Sequence, residues 1–463
     1  MAEAATVKRV GRDLTTGSVT KGVFLFVGPV ILTNLIQQVY SMVDLMVIGK
    51  FVGNIGTVGV STGGEIADFL TPVATAFALA GQIYIAQLAG AKRYDELKES
   101  VGSFLSLMLG MAAFFAIVSI VFCNQTLAML NCPTEAIPSA RAYMIITSIG
   151  YPFIFGYNAV CGVLRGMGES KRPLIFIIVA AVANIFLDLL LVVVFKWDAA
   201  GTAIATVASQ MASFVAAFIY MYRIRDAISF QLKLSYFKMK KEPILIILKL
   251  GVPQAVRSIL VRVSILWVNA SVNSYGLVAS GTNSVGNKLQ KFLEIFSSSM
   301  SQAGGAAIGQ NLGAKKYDRA KKVVYVELVS TLMIAAIISV IVFLFPKALF
   351  GIFTNDADVL EMGVSYLKIM IIHFFVSAVV SSFQSMVVGS GNATLNFLIG
   401  ILDGVVCKIG LSVLFVAIWN MGVYGYFWGT ALSRILPAVI CMIYFYSNKW
   451  KNATLLERKK KEK

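Results

Sequence analysis

Gln87-Leu-Ala-Gly-Ala-Lys-Arg-Tyr-Asp95 recurs 223 residues later as Gln310-Asn-Leu-Gly-Ala-Lys-Lys-Tyr-Asp318. The shared residues are mostly polar, so a common apolar bias does not produce the match. The same offset carries Tyr143 onto Tyr366, Gly166 onto Gly389 and Gly168 onto Gly391. An offset of 224 carries Pro29 onto Pro253, Gly201 onto Gly425 and Thr206 onto Thr430. A nearly constant offset along the chain means two homologous halves.

The medium around those halves follows from composition. Of 463 residues, 58% are hydrophobic and only 14% charged, which leaves no polar coat for a soluble domain. A spanning helix needs roughly 20 apolar residues. Twelve stretches qualify, at 23–48, 60–88, 101–122, 142–164, 174–195, 202–222, 244–272, 282–310, 324–345, 362–388, 395–418 and 424–446. The expected fold is an all-α polytopic membrane protein with twelve transmembrane helices in two pseudo-symmetric six-helix bundles. Segments 60–88 and 282–310 are the weakest by hydropathy. Their Gly, Ser, Thr and charged residues suit helices that line a polar cavity.

The domain reading is an N-terminal segment 1–22, an N-lobe 23–222, a basic linker 223–243, a C-lobe 244–446 and a basic tail 447–463. Six spans per half is an even number, so both halves enter from one side and are related by an axis along the membrane normal. The net charge of +17 reflects 40 Lys and Arg against 23 Asp and Glu. Of the 40, 29 fall in the termini and alternate loops, four in the opposite loops (Lys50, Arg141, Lys196, Lys347) and seven within spans. That asymmetry puts both termini in the cytoplasm and removes the need for a nucleic-acid partner. The first span is too long for a cleavable signal and reads as an anchor. Cys123, Cys132, Cys161, Cys407 and Cys441 show no paired spacing and read as free thiols.

The repeated motif, Pro29 with Gln37-Gln38 and Met42-Val43-Asp44, and Leu164-Arg165-Gly166-Met167-Gly168 together resemble the multidrug and toxic compound extrusion (MATE) family over nearly the whole chain. The resemblance implies two lobes around a V-shaped cavity, and export of drugs or metabolites against sodium or proton influx in the cell (inner or plasma) membrane. It also implies a cation site in the N-lobe, matched here by Asp44, Asn184, Asp188 and Thr206. These four would be the metal ligands if Na+ couples. A Glu that some members carry in the seventh helix is absent; Arg257 and Arg262 stand in that span.

The residues support the cation site independently. A carboxylate in hydrocarbon needs a partner, a proton or an ion. Asn184 and Asp188 are i and i+4 and share a helical face. Carboxylate, amide and hydroxyl oxygens form a hard donor set for a small cation, and the same carboxylates can hold a proton. The choice between H+ and Na+ stays open. No cofactor is expected beyond the coupling ion. No Gly-x-x-x-x-Gly-Lys-[Ser/Thr] occurs, so a gradient rather than ATP must drive the chain.

The C-lobe spans are rich in positive charge: Arg257, Arg262, Lys288, Lys291, Lys368, Lys408 and Arg434 against Glu294 and Asp403. Lys291 and Glu294 are i, i+3 and are expected to pair locally. Arg257, Arg262 and Lys288 in a cavity would favour an anionic or zwitterionic solute. His373 is the only histidine, in the apolar run Ile371 to Phe375, and reads as a packed, hydrogen-bonded residue with no carboxylate nearby. The expected partners are a small-molecule substrate and the bilayer, with the chain acting as a monomer. The alternative function is a flippase for a lipid-linked or amphiphilic anionic substrate. An enzyme is not expected, since no nucleophile–base or metal constellation is present.

Glu65 and Asp68 map onto Lys288 and Lys291 at the 223 offset, hence at equal membrane depth. The two pairs are expected to form a charge latch that gates the substrate cavity. Reversing Glu65 to Lys should then impair transport, and adding Lys288→Glu or Lys291→Glu should restore part of it. Absence of rescue by either partner in a flux assay would refute the latch.

Overall fold

The computed structural model describes residues 11–225, 239–452 and 454–456. The 223–243 linker therefore falls largely outside the described residues, as do residue 453 and residues 457–463 of the tail. In chain order the helices are α1 (Val19–Phe51), α2 (Gly53–Gly90), α3 (Tyr94–Val121), the short α4 (Cys123–Met129), α5 (Ile137–Gly166), α6 (Lys171–Asp188) and α7 (Asp198–Arg223). The second half runs α8 (Lys241–Asn273), α9 (Leu277–Gly313), α10 (Tyr317–Leu344), the short α11 (Pro346–Gly351), α12 (Ala357–Gly389), α13 (Ala393–Ile401), α14 (Lys408–Ala417), α15 (Tyr424–Leu432) and α16 (Ile435–Tyr446). π-Helical stretches extend α6 (Leu189–Val194) and join α13 to α14 (Leu402–Cys407). No strand occurs among the described residues.

Among the described residues, eleven helices are long and apolar enough to cross a membrane. The twelfth, α9, has the length, but its composition is too polar: it carries Lys288, Lys291 and Glu294. The other segment expected to be weak, α2, passes with a mean hydropathy of 1.5, above the helices over Thr134–Gly166 (1.3) and Tyr424–Tyr446 (1.4).

The described chain divides into two compact units, the residues to Asp13 with Gly28–Gly251, and Leu14–Val27 with Val252 onward. Both divisions fall inside a helix, α1 and α8, one or two residues before Pro29 and Pro253. Each proline removes a backbone hydrogen bond from its helix interior and loosens it there. Within the N-lobe α2 packs along α5, α5 along α7, and α6 along α7; within the C-lobe α9 packs along α12 and α10 along α12.

The repeat motif makes the same structure twice. Lys92 (φ 57°) and Lys315 (φ 58°) are both left-handed and end α2 and α9. Around them Arg93 N–H donates to Leu88 O (3.0 Å) and Lys92 N–H to Ala89 O (3.1 Å). The copy has Lys316 N–H to Asn311 O (2.8 Å) and Lys315 N–H to Leu312 O (3.0 Å). This paired pattern satisfies carbonyls that the helix end leaves open. Asp95 and Asp318 then sit in the first turns of α3 and α10, where a negative charge is favoured.

In the C-lobe the polar side chains of the motif also grip the segment leading into α1. Gln310 Oε1 accepts from Leu14 N–H (3.2 Å), and Asn311 Nδ2 donates to Leu14 O (3.1 Å). Lys316 Nζ donates to Thr15 O (2.8 Å), and Arg319 to Thr16 O (3.0 Å) and Gly17 O (2.8 Å).

Helix contact in each lobe depends on missing side chains. A Cβ on Gly162 or Gly166 of α5 would lie 2.7 Å from Ala78 O or Gln82 O of α2. A Cβ on Gly389 of α12 would lie 3.0 Å from Gly305 O and 2.7 Å from the Ile308 side chain of α9. Adding 223 to Gln82, Ile85 and Gly166 gives Gly305, Ile308 and Gly389, so the two contacts are copies of each other. Gly166→Ala and Gly389→Ala should each cost about 1–3 kcal/mol by overpacking. The check is the midpoint of thermal unfolding in detergent or nanodiscs; an unchanged midpoint in both would contradict the close approach.

Candidate functional site

In the N-lobe three helices bring the predicted cation residues into one neighbourhood. An apolar cluster of Val47, Ile48, Val60, Tyr143, Val192 and Ala203 fixes α1, α2, α5, the π stretch after α6, and α7 beside Asp44. Asn184 and Asp188 occupy the last two turns of α6 and are 1% and 0% exposed. Asp188 is the final α-helical residue; the π stretch begins at the next one, a geometry common at functional positions. The carboxyl groups of Asp44 and Asp188 lie within each other's electrostatic reach. Tyr143 of α5 lies within the electrostatic reach of both, and of Asp68.

These polar groups lack protein partners. Asp44 Oδ1, both oxygens of Asp188, and both Oδ1 and Nδ2 of Asn184 are buried without a hydrogen bond. Buried polar atoms are almost always satisfied, so a cluster of exceptions calls for a proton, a water or an ion. Carboxylate and amide oxygens fit a proton or a small hard cation. The structure thus joins Asp44 to Asp188 and sets Asn184 one turn away. Thr206 lies on α7, partly exposed, and its hydroxyl makes no hydrogen bond to the other three.

The C-lobe handles its charges differently. Arg434, in the break between α15 and α16, reaches Glu294 Oε1 of α9 at 3.0 Å and Asp403 Oδ2 at 3.4 Å. The same guanidinium donates to Ser377 Oγ of α12 (2.8 Å). His373 Nε2, also on α12, lies 2.5 Å from Glu294 Oε1. Gln290 donates to Glu294 (3.2 Å), and Tyr366 donates to Gln290 (3.3 Å). Asp403 sits in the second π stretch, with the buried Lys408 in its field.

This network corrects two expectations. Glu294 does not pair with Lys291, which is exposed on α9; a guanidinium already anchored by Asp403 and Ser377 outcompetes a flexible ammonium one turn away. His373 does have a carboxylate beside it, brought by α9 from 79 residues away. Among the described residues no group of three or more His, Cys, Asp or Glu could hold a metal ion.

Lys408 also occupies an informative position. An offset of 224 carries Asn184 onto Lys408 and Asp188 onto Ser412. Where the N-lobe has an unsatisfied amide and carboxylate, the C-lobe has its own ammonium, 6% exposed, and a hydroxyl.

The remaining predicted residues scatter. Arg257 sits at the midpoint of the 33-residue α8, half-buried, and donates to Asn396 Oδ1 (3.2 Å) and to the side-chain amide of Gln384. It forms no ion pair, and its partners are neutral. Arg262 Nε is buried without a hydrogen bond. Lys288 is exposed, with its ammonium 5.9 Å from the Phe353 ring centroid. Glu65 is half-buried and Asp68 exposed on α2.

One residue escapes the sequence reading. Glu327 of α10 is completely buried and both its carboxyl oxygens lack a hydrogen bond. Its offset partner, Phe104, gives the signal that could have found it: an acid stands where the other half has a benzene ring.

A family model described as MatE matches residues 29–190 and again 253–414, two segments 224 residues apart. The chain is 28% identical over 455 residues to the probable multidrug resistance protein YpnP of Bacillus subtilis, covering 96% of this chain and 99% of that protein. It is 27% identical to the multidrug export protein MepA of Staphylococcus saprophyticus, covering 93% of this chain and 94% of that one. The flippase alternative gains no support from these relatives. An outward-facing multidrug resistance MATE transporter of the MOP superfamily superposes with a TM-score of 0.89 at 18% identity, covering 94% of this chain and 97% of that one. Together with the duplicated six-span lobes, the twofold match shows that the chain belongs to the MatE family of multi-pass membrane transporters.

Proposed function

We propose that this chain is a secondary active exporter of small organic solutes, driven by influx of H+ or Na+ through the N-lobe. The observation that carries this reading is the set of five unsatisfied polar atoms on Asp44, Asn184 and Asp188. In a low-dielectric bundle, loading or unloading a cation there changes the local energy by far more than it would in water. That difference is what an antiporter needs to bias one conformation over another. When bound, the cation would be held by the carboxylates of Asp44 and Asp188 with the amide oxygen of Asn184. Thr206 supplies a further hydroxyl on the neighbouring helix. The names of the relatives support drug-like or metabolite substrates. The charge asymmetry of the loops supports a cell-membrane location with cytoplasmic termini.

Arg257 supports a narrower reading of the substrate. By helical rise it lies about 24 Å from either end of α8. A cation at that depth with only amide hydrogen-bond partners shares the field of Asp403 with Arg434 and Lys408, and the carboxylate or phosphate of an anionic or zwitterionic solute would supply a counter-charge of its own.

Proteoliposomes with sodium and pH gradients imposed separately test the coupling. Asp44→Asn and Asp188→Asn should each lower gradient-driven flux at least about tenfold, equivalent to about 1.4 kcal/mol on the barrier. Wild-type flux in both variants would dismiss the N-lobe coupling site. For Arg257, the comparison is direct binding of matched anionic and cationic solutes. Arg257→Gln should weaken the anionic ligand alone; equal binding of both by wild type and variant would remove the anionic reading.

A further inference from the structure

The two lobes contain one packing hole in duplicate and fill it with different chemistry. In the N-lobe a Cβ on Gly81 of α2 would lie 2.4 Å from the Phe104 ring of α3. Adding 223 gives Gly304 of α9 and Glu327 of α10. There a Cβ on Gly304 would lie 1.4 Å from Glu327 Oε1. The glycine is kept in both copies because the side chain opposite occupies its Cβ space. The benzene ring of the first copy is a carboxyl group in the second.

The surroundings of that carboxyl are uncharged. Glu327 is 0% exposed, and neither oxygen has a hydrogen-bond partner. It faces Gly304 from α9 and Ser385 from α12, and on its own helix the hydroxyl of Thr331 is committed to Glu327 O and Ser382 Oγ. No charged group acts on it from any of these helices. Ser385, whose hydroxyl also bonds Ser382 O (2.6 Å), is within hydrogen-bonding reach of the carboxyl. One neutral hydroxyl does not replace the water or the opposite charge that a buried carboxylate needs, so the uncharged surroundings suit a neutral acid. One carboxyl group with no second acid, amide or water-exposed face is also too few donors for a metal ion.

We propose that Glu327 is a proton-binding site of the C-lobe, protonated in the conformation described and releasing its proton to water in another conformation of the transport cycle. The exchange breaks one O–H bond at a carboxyl oxygen, and the proton passes to a water molecule that reaches α10 when the helices move. Filling space does not require an acid here, as Phe104 shows in the other lobe. This site stands apart from the Asp44–Asp188 pair and from the Glu294–His373–Arg434 network. It rests on the reading of the chain as a transporter, and only its release step depends on that reading.

The test uses the full chain in nanodiscs and proteoliposomes. Infrared difference spectra across a pH titration should show a carboxylic C=O band that Glu327→Gln removes. With folding confirmed by an unchanged unfolding midpoint, Glu327→Gln should lower flux driven by a pH gradient at least about tenfold. Glu327→Asp keeps an exchangeable proton on a shorter arm and should shift the pH profile of transport. If Glu327→Gln fails to fold, the Glu327→Asp profile and the wild-type spectrum carry the decision. A purely structural role predicts wild-type flux in Glu327→Gln and an unshifted profile in Glu327→Asp, and either result overturns the proposal. If wild type itself shows no response to imposed gradients, antiport fails, while the spectrum still reports whether Glu327 binds a proton.

Discussion

An ionisable side chain in hydrocarbon has three ways to exist: beside an opposite charge, with a proton, or with a bound ion. Every functional feature of this molecule is one of these three solutions. The N-lobe leaves Asp44 and Asp188 open, so it needs an ion or a proton from outside. The C-lobe closes most of its charges internally, through Arg434 between Glu294 and Asp403 and through Lys408 in the field of Asp403. Glu327 is the exception there: it is buried with no opposite charge acting on it.

Duplication makes the contrast interpretable. The two halves share a backbone to the level of a single left-handed lysine, φ 57° in one and 58° in the other. They share the glycines that let α5 approach α2 and α12 approach α9. On that common frame, Asn184 corresponds to Lys408, Asp188 to Ser412, and Phe104 to Glu327. A lysine at the position of a cation ligand is a cation permanently attached to the chain. On the proposed coupling, one half exchanges its positive charge and the other retains it.

Much of the fold was legible because the relevant signals are local or periodic. Apolar runs mark the spans, and the polar motif Gln87–Asp95 marks the duplication without any alignment. The Asn184–Asp188 pair was legible because i, i+4 spacing guarantees a common face. The C-lobe network was not, since α9, α12, the second π stretch and the α15–α16 break converge only in three dimensions. Lys291 drew attention as the partner of Glu294 because it is near in sequence, whereas Arg434, 140 residues away, takes the carboxylate. Glu327 was hidden for a different reason. It lies only four residues into the 324–345 span, just after Lys321 and Lys322, where a charge near a span end can reach the interface and draws no search for a partner.

The grip of Gln310, Asn311, Lys316 and Arg319 on Leu14–Gly17 has a consequence for biogenesis. The two sides of that contact are about 300 residues apart in the chain. At ribosomal rates of about 5–20 residues per second, the lysine and arginine emerge roughly 15–60 s after the segment they hold. The beginning of the polypeptide is thus among the last parts to reach its final place, and during synthesis it must wait, unclaimed, for the translation of the second half.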